Sequence, residues 1–302
     1  MTPAELQFLI AAALIFIPLE RLIPLHRSNT TIRPGLRVDV LHLFVSGFFI
    51  RAGIMVTTIG VSWACAAMVP DGVHDAIQSQ SGWMQFIQLL LVSDAGFYVA
   101  HRLVHAVPWL WRFHAVHHSS EQMDWLASFR VHPVDQILNT TIIAVPAIAL
   151  GFSPSVLVTF GLIYRAHSML LHSNVRVSFG PLGRLVASPH YHHWHHADEQ
   201  HAYNRNFGGQ LVIWDALCRT LYAPTLLPER YGVGGTMPSS YAQQLLAPLR
   251  PELQRQTSAS DLDHKRAVKA CEHVTNPKDD GAHFRAGRST EQGFARARFS
   301  QE

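Results

Sequence analysis

The sequence has 302 residues, 48% of them hydrophobic and only 15% charged, which argues against an ordinary soluble domain and puts a membrane first. The formal charge of +3 is small, and the basic residues lie in short loops and near the C-terminus, not along a stripe that could follow phosphates, so nucleic acid is not expected as a partner. Cys65, Cys218 and Cys271 are far apart with no CxxC spacing; they suggest neither a disulfide framework nor a thiolate metal site and read as ordinary buried or tail thiols.

The first apolar run covers residues 6–24 and is interrupted only by Glu20 and Arg21, a pair suited to the polar edge of a bilayer. With no secretory cleavage pattern after it, this segment is expected to be retained. The run over 40–69 exceeds the roughly 20 residues that cross a bilayer core, so it must tilt or kink, with Arg51 and several glycines as its weak points. A third helix is predicted over 83–107, increasingly polar after Tyr98, and two apolar arms, 137–151 and 155–171, flank the breaker Gly151-Phe152-Ser153-Pro154 as a re-entering hairpin. Arg21, Arg27, Arg33 and Arg37 lie in the first inter-span loop, whereas 70–82 has no Lys or Arg and carries Asp71 and Asp75. The positive-inside rule then puts the first loop, and everything after His172, in the cytoplasm. The expected fold is all-α: a polytopic membrane bundle of about four to five embedded helices, including the hairpin, with a cytoplasmic helical cap. Its expected divisions are N-terminal membrane helices over 1–82, a catalytic domain over 83–230 and a polar, disordered tail over 231–302.

Histidine is the compositional anomaly: 13 of the 20 fall between His101 and His196. His101 and His105 are four apart, one turn on the same helical face. His114, His117 and His118 follow at i, i+3 and i+4, and His192, His195 and His196 repeat that spacing after the hairpin. His172 sits where the hairpin re-emerges. A lone HxxxH is chance or capping more often than a site. Two HxxHH motifs together with it, all on one predicted side, are better explained by metal, because unliganded imidazoles at an apolar boundary would each need a hydrogen-bond partner. Nine donors exceed what one ion can use. Asp94, two turns before His101, is a costly carboxylate in an apolar helix and is expected to orient a ligand imidazole, the alternative being a buried structural hydrogen bond. Asp135 could act in the same way, and His132 and His167 could be ligands, pocket residues or outer donors.

Imidazole alone does not choose among zinc, copper, iron and nickel. There is no HExxH for a zinc hydrolase, and two multi-histidine groups suit a redox pair that reduces dioxygen. The spacing His101-x3-His105, His114-x2-His117-His118 and His192-x2-His195-His196 resembles the membrane-bound fatty acid hydroxylase and sterol desaturase superfamily. So do Asp94-x3-Tyr98-x2-His101-Arg102, Phe129-Arg-Val-His-Pro133, His172-Ser-Asn-Val175, Asn206-Phe-Gly208 and Trp214-Asp215-x-Leu217. The resemblance covers about 92–223 and implies a non-haem enzyme with two iron ions that uses O2 and two external electrons to hydroxylate or desaturate a lipid. Position by position it implies metal ligation by His101, His105, His114, His117, His118, His192, His195 and His196, with His172 as an additional ligand. Asn206 falls among its polar loop residues and is expected either to support a ligand from outside or to be a further ligand. His193 would point away from the ligand face, and His190 and His201 have no assigned role. With no fused cytochrome and no GxGxxG, electrons are expected from a separate reductase, ferredoxin or cytochrome b5-like donor. The competing class is a histidine-rich membrane protein that binds or transports metal or haem, although transport needs ligands spread through the bilayer and haem uses one or two axial histidines.

Overall fold

The computed structural model describes residues 2–233 and 237–249; of the disordered tail expected over 231–302, residues 250–302 lie outside the described residues. Among the described residues the chain is helical, with isolated bridges but no strand. Helix α1 (Pro3–Leu22) opens on a capping box between Thr2 and Glu5. Helices α2 (Leu36–Leu41) and α3 (Gly47–Met68) are joined by a π-helical turn over His42–Ser46, an irregularity that re-aims the long second run within its length. Helix α4 (Asp71–Gln78) is a short connector to α5 (Gly82–Ala106).

Proline then sets the helix starts. Its fixed φ suits the first helical position, where an N–H would have no partner anyway. Pro108 begins α6 (Pro108–His118), Pro133 begins α7 (Pro133–Leu150), Pro154 begins α8 (Pro154–His172) and Pro189 begins α9 (Pro189–His195). The short helices α10 (Ile213–Leu217) and α11 (Tyr241–Leu246) follow. The tail expected from 231 is thus structured at its start: Gln244 of α11 is buried against His42, and the Tyr231 hydroxyl meets both His26 and His193. Cys218, expected to be buried, is exposed.

Three helical stretches, Pro3–Leu22, Leu36–Ala64 and Pro133–Leu150, are long and apolar enough to cross a membrane. Large apolar side chains such as Leu14, Phe48, Val56 and Trp63 project outward from the first two, as a lipid-facing surface requires. Helices α5 and α8, also expected in the bilayer, pack between the others but carry a more polar content toward their histidine ends. The α7–α8 turn uses Gly151 at φ +69°, where an added Cβ would strike His74. That turn is held by Gln85, whose side-chain oxygen accepts from Ser153, and by His74 and Gln78 bonded to the Ala149 and Gly151 carbonyls. The hairpin therefore reaches as far as the start of α5, at the end of the bundle away from the histidines.

At the histidine end, the Arg-rich loop after α1 folds over the segments that follow α6 and α8. Arg33 binds Asp124 and Asp39, and Arg130 also binds Asp39, all but Asp124 being deeply buried. Glu20 caps the same region, accepting from the backbone N–H groups of Trp125 and Asn174. Phe16, Trp125, Phe129 and Met169 form the adjoining apolar cluster, with Phe16 stacked on Trp125 at 6.2 Å.

Candidate metal centre

Nine histidines converge in two groups whose nitrogens lie within 4.8 Å of one another: His101, His105, His114, His118 and His195 in the first, His117, His172, His192 and His196 in the second. They comprise the nine positions singled out by spacing and resemblance, but the partition is not by motif. Helix α6 sends His114 and His118 to the first group and His117 to the second, while α9 and its C-cap send His195 to the first and His192 and His196 to the second. The groups touch where the His118 and His196 rings stack at 4.4 Å.

Tautomers show why an ion fits. A carbonyl only accepts, so an imidazole nitrogen facing one must carry the proton and leave its other nitrogen bare. His101 Nδ1 donates to the Phe207 carbonyl at 2.9 Å, His117 Nδ1 to Arg130 at 3.1 Å, His172 Nδ1 to Ser168 at 2.7 Å and His195 Nδ1 to Arg205 at 2.8 Å. His114 Nδ1 donates to the Asp135 carboxylate at 3.0 Å. The bare Nε2 atoms nevertheless face each other, His101 to His114 and His117 to His172, each at 3.1 Å. Facing lone pairs repel unless a cation lies between them, and nitrogens bound side by side at roughly 2.0–2.1 Å to one ion stand about 3 Å apart. His105, His118 and His195 have buried Nε2 atoms with no hydrogen-bond partner.

Burial keeps these rings neutral and ready to ligate. Loss of water pulls His117 down to about 4 and His195 to about 3, and carries His118, His192 and His196 well below the ordinary histidine value. For His118, His192 and His196, neighbouring imidazoles are the next largest cause.

The surrounding groups divide clearly. Asp135 reaches a clustered imidazole directly and also accepts from Asn139. Asp94 reaches none: its oxygens accept from the Gln210 and Leu211 amides and the Trp214 indole, so it pins the 209–214 loop instead of orienting a ring. Asn206, at φ +58°, ties its own segment to the backbone of Tyr191 and Tyr222 and reaches no clustered imidazole. His132 caps α7 and meets the Leu245 carbonyl, and His167 lies between Gln210 and Ala187; neither joins the two groups. His193 turns to Tyr231 and Ser173, His190 to the Leu226 carbonyl, and His201 is exposed beside Glu199.

Sequence reasoning missed the role of Asp215, which gathers the Phe207 and Gly208 amides, the Tyr191 hydroxyl and the Thr220 hydroxyl and so fixes the Phe207 carbonyl against His101. The carbonyls of Arg130, Ser168, Arg205 and Phe207 leave no residue-type signal at all. Gly208 was quoted as part of a motif, and the reason for glycine is steric: a Cβ there would meet the Leu211 carbonyl oxygen at 2.2 Å.

A cavity of about 380 Å³ reaches His101, His114, His117, His172 and His192 and continues between α3, α7 and α8 past Leu43, Ile50, Phe129, Ile143 and Phe160. It is large enough for a small-molecule ligand or a length of acyl chain, and it meets the histidines at one end.

Residues 86–220 match the family described as fatty acid hydroxylase. Similar curated proteins include Ornithine lipid hydroxylase OlsE of Rhizobium tropici, 33% identical over 165 residues that make up 54% of this chain and 50% of that protein. Alkylglycerol monooxygenase of Homo sapiens is 34% identical over 146 residues, 47% of this chain and 32% of that protein. Cholesterol 25-hydroxylase of Homo sapiens is 32% identical over 149 residues, 44% of this chain and 49% of that protein. The chain thus spans half or less of the length of these relatives. No solved structure matches it.

Proposed function

We propose that the chain, whose residues 86–220 match the fatty acid hydroxylase family, is a membrane-bound lipid hydroxylase with two non-haem iron ions, one in each histidine group. The observation that carries this reading is the pairing of bare imidazole nitrogens in two adjoining groups at the end of an apolar cavity. The gathering of all nine rings at one end of the bundle supports a reaction centre over a permeation path, which needs ligands through the bilayer depth.

When bound, the iron pair supplies activation of O2 with two electrons from an external reductase, ferredoxin or cytochrome b5-like donor. In the overall balance one oxygen atom enters a substrate C–H bond as a hydroxyl and the other leaves as water, with two protons and two electrons consumed. The chain's part is to hold the ligand geometry and direct the substrate. The Arg130, Ser168, Arg205 and Phe207 carbonyls and Asp135 fix the tautomers, so every oriented ring presents Nε2 inward. Leu43, Ile50 and Phe160 line an apolar approach that excludes water from the reacting carbon. Lipid as the substrate class is supported by the relatives, each named as a lipid hydroxylase or monooxygenase. A cytoplasmic position for the centre is supported by the arginines that pack at the same end, Arg21 in the last turn of α1 and Arg27 and Arg33 in the loop after it.

The test is expression of wild type and His117→Ala in parallel under 18O2, with metal analysis of both. Wild type should carry about two irons and yield an 18O-labelled lipid, and His117→Ala should lose label and part of its iron. A lipid profile unchanged between the two, or full turnover after complete iron removal, would sink the proposal.

A further inference from the structure

The cavity wall that leads away from the histidines contains two cations, neither in a direct ion pair, and a single carboxylate near them. Arg51 projects from α3 and Arg165 from α8, and both line the cavity. Among the described residues neither makes an ion pair within 4.0 Å or a hydrogen bond; the Arg165 guanidinium only overlies the Phe129 ring, 5.3 Å from its centre. Glu5 lines the same wall, close enough to feel both arginines, but its single charge offsets at most one of the two, and it is held at the helix start by the Thr2 N–H at 2.7 Å.

Depth makes these charges costly. Arg51 is 15 residues beyond Leu36, so it stands about 22 Å along its helix, far from either end of the Leu36–Ala64 stretch. Arg165 precedes His172 by seven residues, about 10 Å along α8. An arginine at such a position is expected to face a cavity and to pair with an anion. Arg165 is exposed and Arg51 half-buried, so both can be reached from the cavity. Nearer the histidines the same wall presents a second unmet group: Asn139 is buried, its amide nitrogen donates to Asp135, and its Oδ1 has no partner.

We propose that the cavity takes an amphiphile with an anionic polar end, seated between Arg51 and Arg165, whose body passes Asn139 and presents a hydrogen-bond donor, a hydroxyl or amide N–H, to its free oxygen. The anion supplies the counter-charge that Glu5 leaves unmet, and the anchor fixes how far from the polar end the chain meets the histidines. This deepens the lipid reading above by naming the chemistry of the substrate's head, which a carboxylate or a phosphate could supply.

The test is equilibrium binding to the iron-loaded full chain in neutral detergent, with three probes: N-palmitoylglycine, its uncharged methyl ester and a lysophosphatidic acid. One equivalent of N-palmitoylglycine should bind at least about tenfold more tightly than the ester, with lysophosphatidic acid showing whether phosphate serves equally. Arg51→Gln with Arg165→Gln should abolish the preference while iron content and melting temperature hold, and Asn139→Leu should weaken acid and ester alike, because both keep the amide donor. Equal binding of acid and ester by wild type, or a preference that survives the double arginine variant, overturns the proposal. Failure here with 18O incorporation intact would leave the hydroxylase reading standing; a clear acid preference without O2-dependent chemistry would do the reverse.

Discussion

Asp135 and Asp94 are both buried carboxylates near the histidines, and their different work shows what a side chain contributes to such a centre. Asp135 accepts the Nδ1–H of His114, which raises the basicity of the opposite nitrogen and holds the ring. Asp94 acts two steps away, through a loop. Replacing Asp135 with Ala should weaken metal binding by about 10–100-fold in the group that contains His114 while His117, His172, His192 and His196 keep theirs. Metal titration of the stripped protein reads this as one weakened and one unchanged step; two unchanged steps would show that Asp135 has no such part. The nine rings were legible because helical spacing leaves a mark in sequence. Their backbone partners were not, since any residue type can supply a carbonyl, and Asp94 read as a direct partner because helical phase places it on the face of His101 without saying which way its carboxylate reaches.

The helices themselves were readable from apolar runs and from the prolines that open α6, α7, α8 and α9. Harder to foresee was the way the loop after α1 is bound into the structure. Asp39 of α2 lies beneath two arginines from different segments, Arg33 and Arg130, and Arg130 in turn offers its carbonyl to His117. Such long-range pairing joins residues about 90 positions apart and leaves no local pattern. Asp39→Ala would leave two buried guanidiniums without their carboxylate, although Asp124 still compensates Arg33 in part. A loss of about 3–5 kcal/mol is expected, read by denaturant unfolding in micelles. A change below about 1 kcal/mol would mean that the network is dispensable. The arginines of this loop appeared in the sequence only as a charge bias, yet Arg33 is 4% exposed and serves packing as much as orientation.

Taken across the chain, the buried imidazoles make the fold sensitive to acid. His117 and His195 are neutral when folded, titrating near 4 and near 3 against an ordinary 6.5 in the unfolded chain. The unfolded state therefore binds more protons between those values, and the stability these rings contribute is complete above pH 6.5 and lost as pH falls through about 4. Metal-stripped protein should melt at a distinctly lower temperature at pH 5 than at pH 7.5; a flat profile would contradict burial of these rings. The all-helical class and the apolar character of three long stretches were plain from composition, whereas the number of crossings was not, because α5 and α8 mix apolar faces with the polar residues that build the centre. The interleaving of the two groups has one more consequence. Since α6 and α9 each feed both, neither histidine group can be assembled, removed or transplanted as a separate cassette. An engineered relative that keeps only one group must differ by single imidazoles, and a small slide of either helix would disturb both groups at once.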